Sequence, residues 1–242
     1  MNRKISIALL FSCVVAACSG GDEALKYSWD TNVPFAPFQG DTATQGKLVD
    51  RVLHNMQSTD PITMFIAADT AYALSRLEDS GFLYNAASIR AHYDIDSFPP
   101  SAQGGDSPMT YLGFLRENAG QIINPALVDA PSTYIAVTRR LDAWDCRLES
   151  GYKPPWDFKK AAEEPPATCV KQQRPHVDAM KDIAALFQIP EYAAAVATNK
   201  RFNLSATAFQ SADEQAKNQA ALATMRRIES ERHLKGFASY DD

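Results

Sequence analysis

Basic charge is scarce in this chain: 24 Lys and Arg residues stand against 29 Asp and Glu, a formal net charge of −5. That balance argues against nonspecific nucleic-acid binding, which draws its affinity from basic patches facing phosphates. Histidine is sparser still. His54, His92, His176 and His233 are scattered, and no His-Glu-x-x-His spacing sets two of them on one helical face for a metal. His92, Asp94 and Asp96 lie close together, but alternate residues on a helix do not share a face. The Gly-x-Ser-x-Gly elbow of serine hydrolases is missing, and Gly104-Gly105 lies in a loop with no phosphate-cradling motif around it. Runs of alternating β-branched residues and Asn-Gly or Asp-Gly hairpin turns are missing too. These absences point to an all-α protein, with no cofactor, metal or catalytic group expected.

Cysteine is also rare, with four in 242 residues. Two belong to the N-terminus, which has the three-part layout of a secretory signal. Asn2, Arg3 and Lys4 form a positive head. Ile5 to Phe11 is apolar apart from Ser6, and Val14 to Ala17 extends it to small residues. The run is too short to span a bilayer comfortably. Val15-Ala16-Ala17-Cys18 resembles the bacterial lipobox. That resemblance implies cleavage before Cys18, a diacylglycerol on its sulfur and acylation of the new amino group, with residues 1–17 removed as signal peptide. Two or more acyl chains anchor stably where one does not. Ser19 in place of Asp resembles the outer-membrane sorting residue of enteric lipoproteins. The implied location is the bacterial cell envelope, with the protein lipid-anchored and facing the periplasm. Removing residues 1–17 takes away Arg3 and Lys4 and no acid, leaving 225 residues with 22 basic against 29 acidic, net −7.

Cys146 and Cys169 remain. In an oxidising envelope such a pair reads as a disulfide. The loop it closes carries Pro154-Pro155 and Pro165-Pro166 and is not expected to be regular.

Residues 18–41 read as a lipidated tether and N-terminal arm. Tyr27, Trp29, Phe35 and Phe38 are more aromatics than a free spacer needs, so its second half is expected to pack. Residues 42–242 read as one α-helical domain, an irregular bundle or short solenoid of about seven to nine helices. The first helix follows Asp41 or Thr42 as cap, with Leu48, Val52 and Met56 at four-residue spacing. Asp60-Pro61 starts the next. The pattern predicts one helix from Ile62 to about Glu78, a break at Gly81, and a second helix from Phe82 to about Tyr93. Small residues crowd both, Ala67, Ala68 and Ala71 on one and Ala86, Ala87 and Ala91 on the other. The length, turn glycine and alanines of this hairpin resemble one tetratricopeptide or Sel1-like unit; no second copy follows at a fixed period.

Pro99 to Pro108 reads as a loop, Met109 to about Asn118 as a helix and Gly120 to Pro131 as an irregular link. A helix capped by Ser132 carries Tyr134, Val137, Leu141, Trp144 and Leu148, with Cys146 on its last turn. Gly151 to Arg174 reads as a long loop, and Pro175 and Pro190 each open a helix. Ser211 and Glu214 form a capping box for a last helix reaching Lys235 and stopped by Gly236.

Glu78, Asp79, Arg90, His92 and Trp156 are candidate partner-binding residues, with Arg90 read first as half of a buried pair with an acid that fixes helix packing. The Pro99–Pro108 loop and the crosslinked loop are candidate contact segments. Glu163-Glu164 does not resemble the acid of a transglycosylase cleft. An acidic, lipidated, helical chain resembles, as a class, the immunity and adaptor lipoproteins of the periplasm. The expected function is noncatalytic binding of another protein, either a periplasm-acting toxin or an envelope assembly. A cell-envelope hydrolase acting on peptidoglycan or lipid is the competing expectation.

Overall fold

The computed structural model describes residues 38–102, 104–105, 107–159, 165–199 and 211–238. The lipobox-like Val15-Ala16-Ala17-Cys18, Tyr27, Trp29, Phe35 and Glu163-Glu164 lie outside them. The described residues form eight helices: α1 (Thr42–His54), α2 (Pro61–Ala73), α3 (Leu77–Ser97), α4 (Pro108–Val128), α5 (Pro131–Ala143), α6 (Val170–Phe187), α7 (Pro190–Thr198) and α8 (Ala212–Arg232). They contain no strand, only the isolated bridges Pro100–Phe158 and Arg147–Thr168. The protein is all-α, and a disulfide between Cys146 and Cys169 closes the expected loop.

Helix α3 is the axis of the fold, packing against α2, α4, α5 and α6. Every residue from Ser80 to Ala91 is buried, so the helix is enclosed all round rather than striped. Its polar side chains turn inward onto backbone. Ser80 Oγ donates to Ala68 O (2.8 Å), Asn85 Nδ2 to Gly81 O (2.7 Å) and Ser88 Oγ to Tyr84 O (3.0 Å). Such bonds remove the penalty of burying an unpaired polar group. Phe65, Ile66, Leu83 and Ile89 are at most 2% exposed, each worth roughly 1.5–3 kcal/mol of burial.

The α2–α3 hairpin exists, but its turn is not at Gly81. Helix α2 ends at Ala73, and Ser75 takes a left-handed φ of 60°. Ser75 N donates to Tyr72 O and Arg76 N to Ala71 O, which is a Schellman stop built on a serine. Gly81 lies inside α3, where a Cβ would meet Leu127 Cδ2 at 2.9 Å and Val137 Cγ2 at 3.0 Å. Its missing side chain lets α4 and α5 approach. Gly236 corrects in the same way. Helix α8 stops at Arg232 on a left-handed His233 (φ 53°), and Gly236 faces the Tyr192 hydroxyl, Glu229 and Leu186.

Three further boundaries differ from expectation. Helix α4 runs through Gly120 and Pro125 to Val128, with Gly120 making room for the Tyr84 hydroxyl. Helix α5 ends at Ala143, with Trp144 extended (ψ 120°), so Cys146 lies beyond it. Cys146 instead joins a short antiparallel contact, in which Leu148 N donates to Ala167 O and Cys169 N to Cys146 O. Helix α6 begins directly after Cys169 and carries Pro175 inside it. The Asp60 cap holds: Oδ1 accepts from Thr63 N (3.0 Å) and Oδ2 from Thr63 Oγ1 (2.7 Å). Ser211 likewise accepts from Glu214 N at 3.2 Å. Phe38 is partly buried on the core, its N–H on Thr70 Oγ1 at 2.9 Å.

The crosslinked loop is a strap laid along the C-terminal half of α3. Trp156 Nε1 donates to Phe98 O (3.1 Å), Ser101 N to Asp157 O (2.8 Å) and Tyr152 Oη to Asp94 Oδ2 (2.6 Å). Beneath it lies a buried charged centre. Arg90 is 0% exposed and donates to Met56 O (3.1 Å) and Thr59 O (3.4 Å), with its guanidinium 5.1 Å from the centre of the Tyr152 ring. Asp94, one turn on, is also 0% exposed. Burial pushes its carboxyl up to about 8, against the downward pull of Arg90 and Tyr152.

Candidate functional site

The five residues picked out in the sequence do not converge. Asp79 is clamped by Arg140 Nη1 (2.8 Å) and Arg76 Nε (2.9 Å), and Arg76 also reaches Asp50 at 2.6 Å. Burial would raise the Asp79 carboxyl, but these two arginines outweigh it and hold the group below its ordinary value. Glu78 is half exposed at the rim of this network, 3.8 Å from Arg140. The network ties α1, α3 and α5 together. Arg90 and Trp156 are buried in the strap region. His92 alone faces an open cavity.

That cavity lies between α3, α4 and α6. It has a volume of about 330 Å³. Helical spacing puts Ser88, His92 and Asp96 on its α3 side. Helix α4 supplies Met109, Leu112, Gly113 and Arg116, and α6 supplies Gln172. A second hollow of about 630 Å³ continues along α4 past Gly120 and Asn124, and the two share Gly113 and Arg116. The trough is open at Gly113 because a Cβ there would meet nothing within 4 Å.

Arg116 Nη1 lies 3.4 Å from His92 Nε2. A guanidinium can only donate, so this imidazole nitrogen accepts. His176 on α6 sits behind them, its Nε2 2.8 Å from Asn85 Oδ1. Asn85 Nδ2 is committed to Gly81 O, so Oδ1 accepts and His176 Nε2 carries the proton. Burial first, then His92 and Arg116, hold the His176 imidazole below its ordinary value. Asp96 is the one carboxylate lining the first cavity, and it accepts from Gln172 Nε2 at 3.0 Å. Arg116 and the imidazoles of His92 and His176 thus come together from three helices, with Arg116 and His92 lining the cavity and His176 behind them.

Helix α4 also carries exposed apolar surface in and around the trough. Met109 is 59% exposed, Phe114 52% and Ile122 44%. Tyr111 stacks on Phe114, ring centres 6.5 Å apart. The site can bind through charge at Arg116, shape in the trough and apolar contact beside it. Among the described residues no three His, Cys, Asp or Glu side chains are placed to hold a metal ion, and no helix is long and apolar enough to cross a membrane.

Sequence reasoning missed Met109, Phe114, Arg116, Ile122 and His176. One signal was readable: Met109, Tyr111, Leu112, Phe114, Leu115, Ile122 and Ile123 are more apolar residues than one helical face can bury. The convergence of Arg116, His92 and His176 had no local signal, since 24 and 84 positions separate His92 from the other two. No family model matches the chain, and no curated protein or solved structure matches it either, so the functional reading rests on its own residues and geometry.

Proposed function

We propose that this chain is a noncatalytic lipoprotein of the bacterial envelope, anchored by acyl chains on Cys18, facing the periplasm from the outer membrane, and acting by binding another protein. The lipobox-like Val15-Ala16-Ala17-Cys18 supports the anchoring and location. The observation that carries the binding reading is the exposure of Met109, Phe114 and Ile122 on one helix beside an open trough. Exposed apolar residues grouped on one element beside polar ones are a common mark of interaction surfaces.

Within that class we favour an immunity role against a periplasm-acting toxin. Anchoring concentrates an inhibitor where the toxin enters, and net acidity steers a basic effector toward it. An adaptor or structural part of an envelope assembly is the alternative within binding, and a peptidoglycan or lipid hydrolase is the alternative outside it. The test is capture of a partner by the full chain purified in detergent, compared with a Phe114→Ser, Ile122→Ser variant. A specific partner is expected to be lost by the variant while its melting temperature stays unchanged. Retention of no protein, together with turnover of peptidoglycan or lipid, refutes noncatalytic binding. Protection of cells against a toxin encoded beside this chain separates immunity from the adaptor role.

A further inference from the structure

The proposal above leaves open what kind of segment the α4 trough accepts, and its electrostatics are specific. Arg76, Arg140 and Arg227 are each tied to carboxylates at 2.6–2.8 Å. Arg116 is exposed, its contact is His92, and among the described residues no carboxylate lies within ion-pair distance of it. The accepting imidazole gives the Arg116 guanidinium a hydrogen-bond partner but no opposite charge, which an incoming carboxylate would supply. Around it the walls are apolar: Phe65, Ile95, Leu112 and Met109. Gly113 opens the passage to the second hollow, which Glu117 borders on its rim.

Resting on the binding-protein reading, we propose that this trough receives an extended acidic-apolar peptide segment of the protein partner. One carboxylate of the segment lands on Arg116 beside His92, and its apolar neighbours enter the cavity against Phe65, Ile95 and Met109. A small inorganic anion would use Arg116 but leave those walls unused. A basic segment would meet the Arg116 guanidinium and be repelled. The net negative chain and this local positive spot have separate jobs. Long-range acidity governs encounter, while the spot sets register once the partner is seated.

The test uses the full chain in detergent and the labelled peptide acetyl-LELDL-amide, read by fluorescence anisotropy and by the ring signals of His92 and His176 in NMR. Saturable binding is expected, with both ring signals shifting. The neutral peptide acetyl-LQLNL-amide and the leucine-free acetyl-GEGDG-amide should each bind at least tenfold more weakly. Arg116→Gln should weaken the acidic peptide at least tenfold. Gly113→Leu projects a side chain into open space and should block binding without lowering the melting temperature. Equal affinity for LQLNL overturns the carboxylate contact. Equal affinity for GEGDG, or equal ring shifts with inorganic phosphate alone, reduces the trough to a simple anion site and overturns the proposal. Undiminished binding by a folded Gly113→Leu variant overturns it too. Failure here differs from failure of the binding reading: a specific partner captured equally by wild type, Arg116→Gln and Gly113→Leu removes only the trough.

Discussion

Gly81 and Gly113 sit inside long helices, and their replacement by alanine should change stability in opposite directions. In a helix interior, Gly→Ala gains about 1 kcal/mol from backbone entropy. At Gly113 that gain stands alone, because the new methyl meets nothing within 4 Å. At Gly81 the methyl lands 2.9 Å from Leu127 Cδ2, 3.0 Å from Leu127 Cδ1 and 3.0 Å from Val137 Cγ2. Leu127 is 2% exposed and Val137 0%, so neither has room to retreat, and Val137 has stiff χ1 geometry. Overpacking of this kind costs about 1–3 kcal/mol and outweighs the propensity gain. The two variants should therefore differ by about 1–3 kcal/mol, with Gly113→Ala above wild type and Gly81→Ala below it. Urea unfolding followed by circular dichroism reads this directly, since 1 kcal/mol moves a midpoint by about 0.5 M at a slope near 2 kcal/mol/M. If Gly81→Ala proves as stabilising as Gly113→Ala, the close approach of α3 to α4 and α5 is refuted. A loss at Gly113 would refute the open trough.

Two other outcomes follow from the strap. Replacing both Cys146 and Cys169 by alanine should cost about 3 kcal/mol, through the entropy of an unfolded chain no longer closed between them; a urea midpoint shift worth under about 1 kcal/mol contradicts this. Asp94, its carboxyl pushed up to about 8 by burial, should make stability pH-dependent. The native state binds this proton more tightly than the unfolded chain, whose carboxyl sits near 3.8. The contribution is therefore fully present below about 3.8 and lost as pH rises toward 8. Asp94→Asn removes that loss, so its stability relative to wild type should climb between pH 4 and 8. A flat difference across that window would show Asp94 ionised throughout beside Arg90.

The helical character and several starts were legible because caps are local chemistry. Asp41, Asp60 and Ser211 cap the helices they were expected to cap, and Pro61 and Pro190 stand at first positions. The stops were harder. Left-handed residues end α2 and α8, and reading glycine as the signal for them misplaced both ends. Ser75 and His233 occupy those positions, while Gly81, Gly120 and Gly236 serve close packing, which is a tertiary property. The prolines misled for a related reason. Pro125 and Pro175 lie inside α4 and α6, where tertiary contacts at Ile123, Leu127, Val177 and Met180 carry the helix past them. His92 does lie on the second helix of the hairpin, but its neighbours at the candidate site come from α4 and α6 and no local pattern pairs them.

The disulfide and the trough are one mechanical system rather than two features. Cys169 is the cap of α6, and Gln172 and Gln173 both donate their backbone N–H to its carbonyl, at 3.0 and 2.9 Å. Gln172 is in turn the α6 wall of the trough and holds Asp96 through its side chain. Gln173 Nε2 reaches back to Leu141 O and Trp144 O, locking the end of α5 to the same turn. On the other side, the strap binds Asp94 through Tyr152, between His92 and Asp96 in sequence. The crosslink therefore supports two of the three helices that build the cavity, at the ends where the basic groups gather. That placement gives the bridge a second consequence beyond chain entropy: it supports the turn from which Gln172 engages Asp96, a carboxylate that makes no ion pair with Arg116, leaving the guanidinium available to a carboxylate from outside.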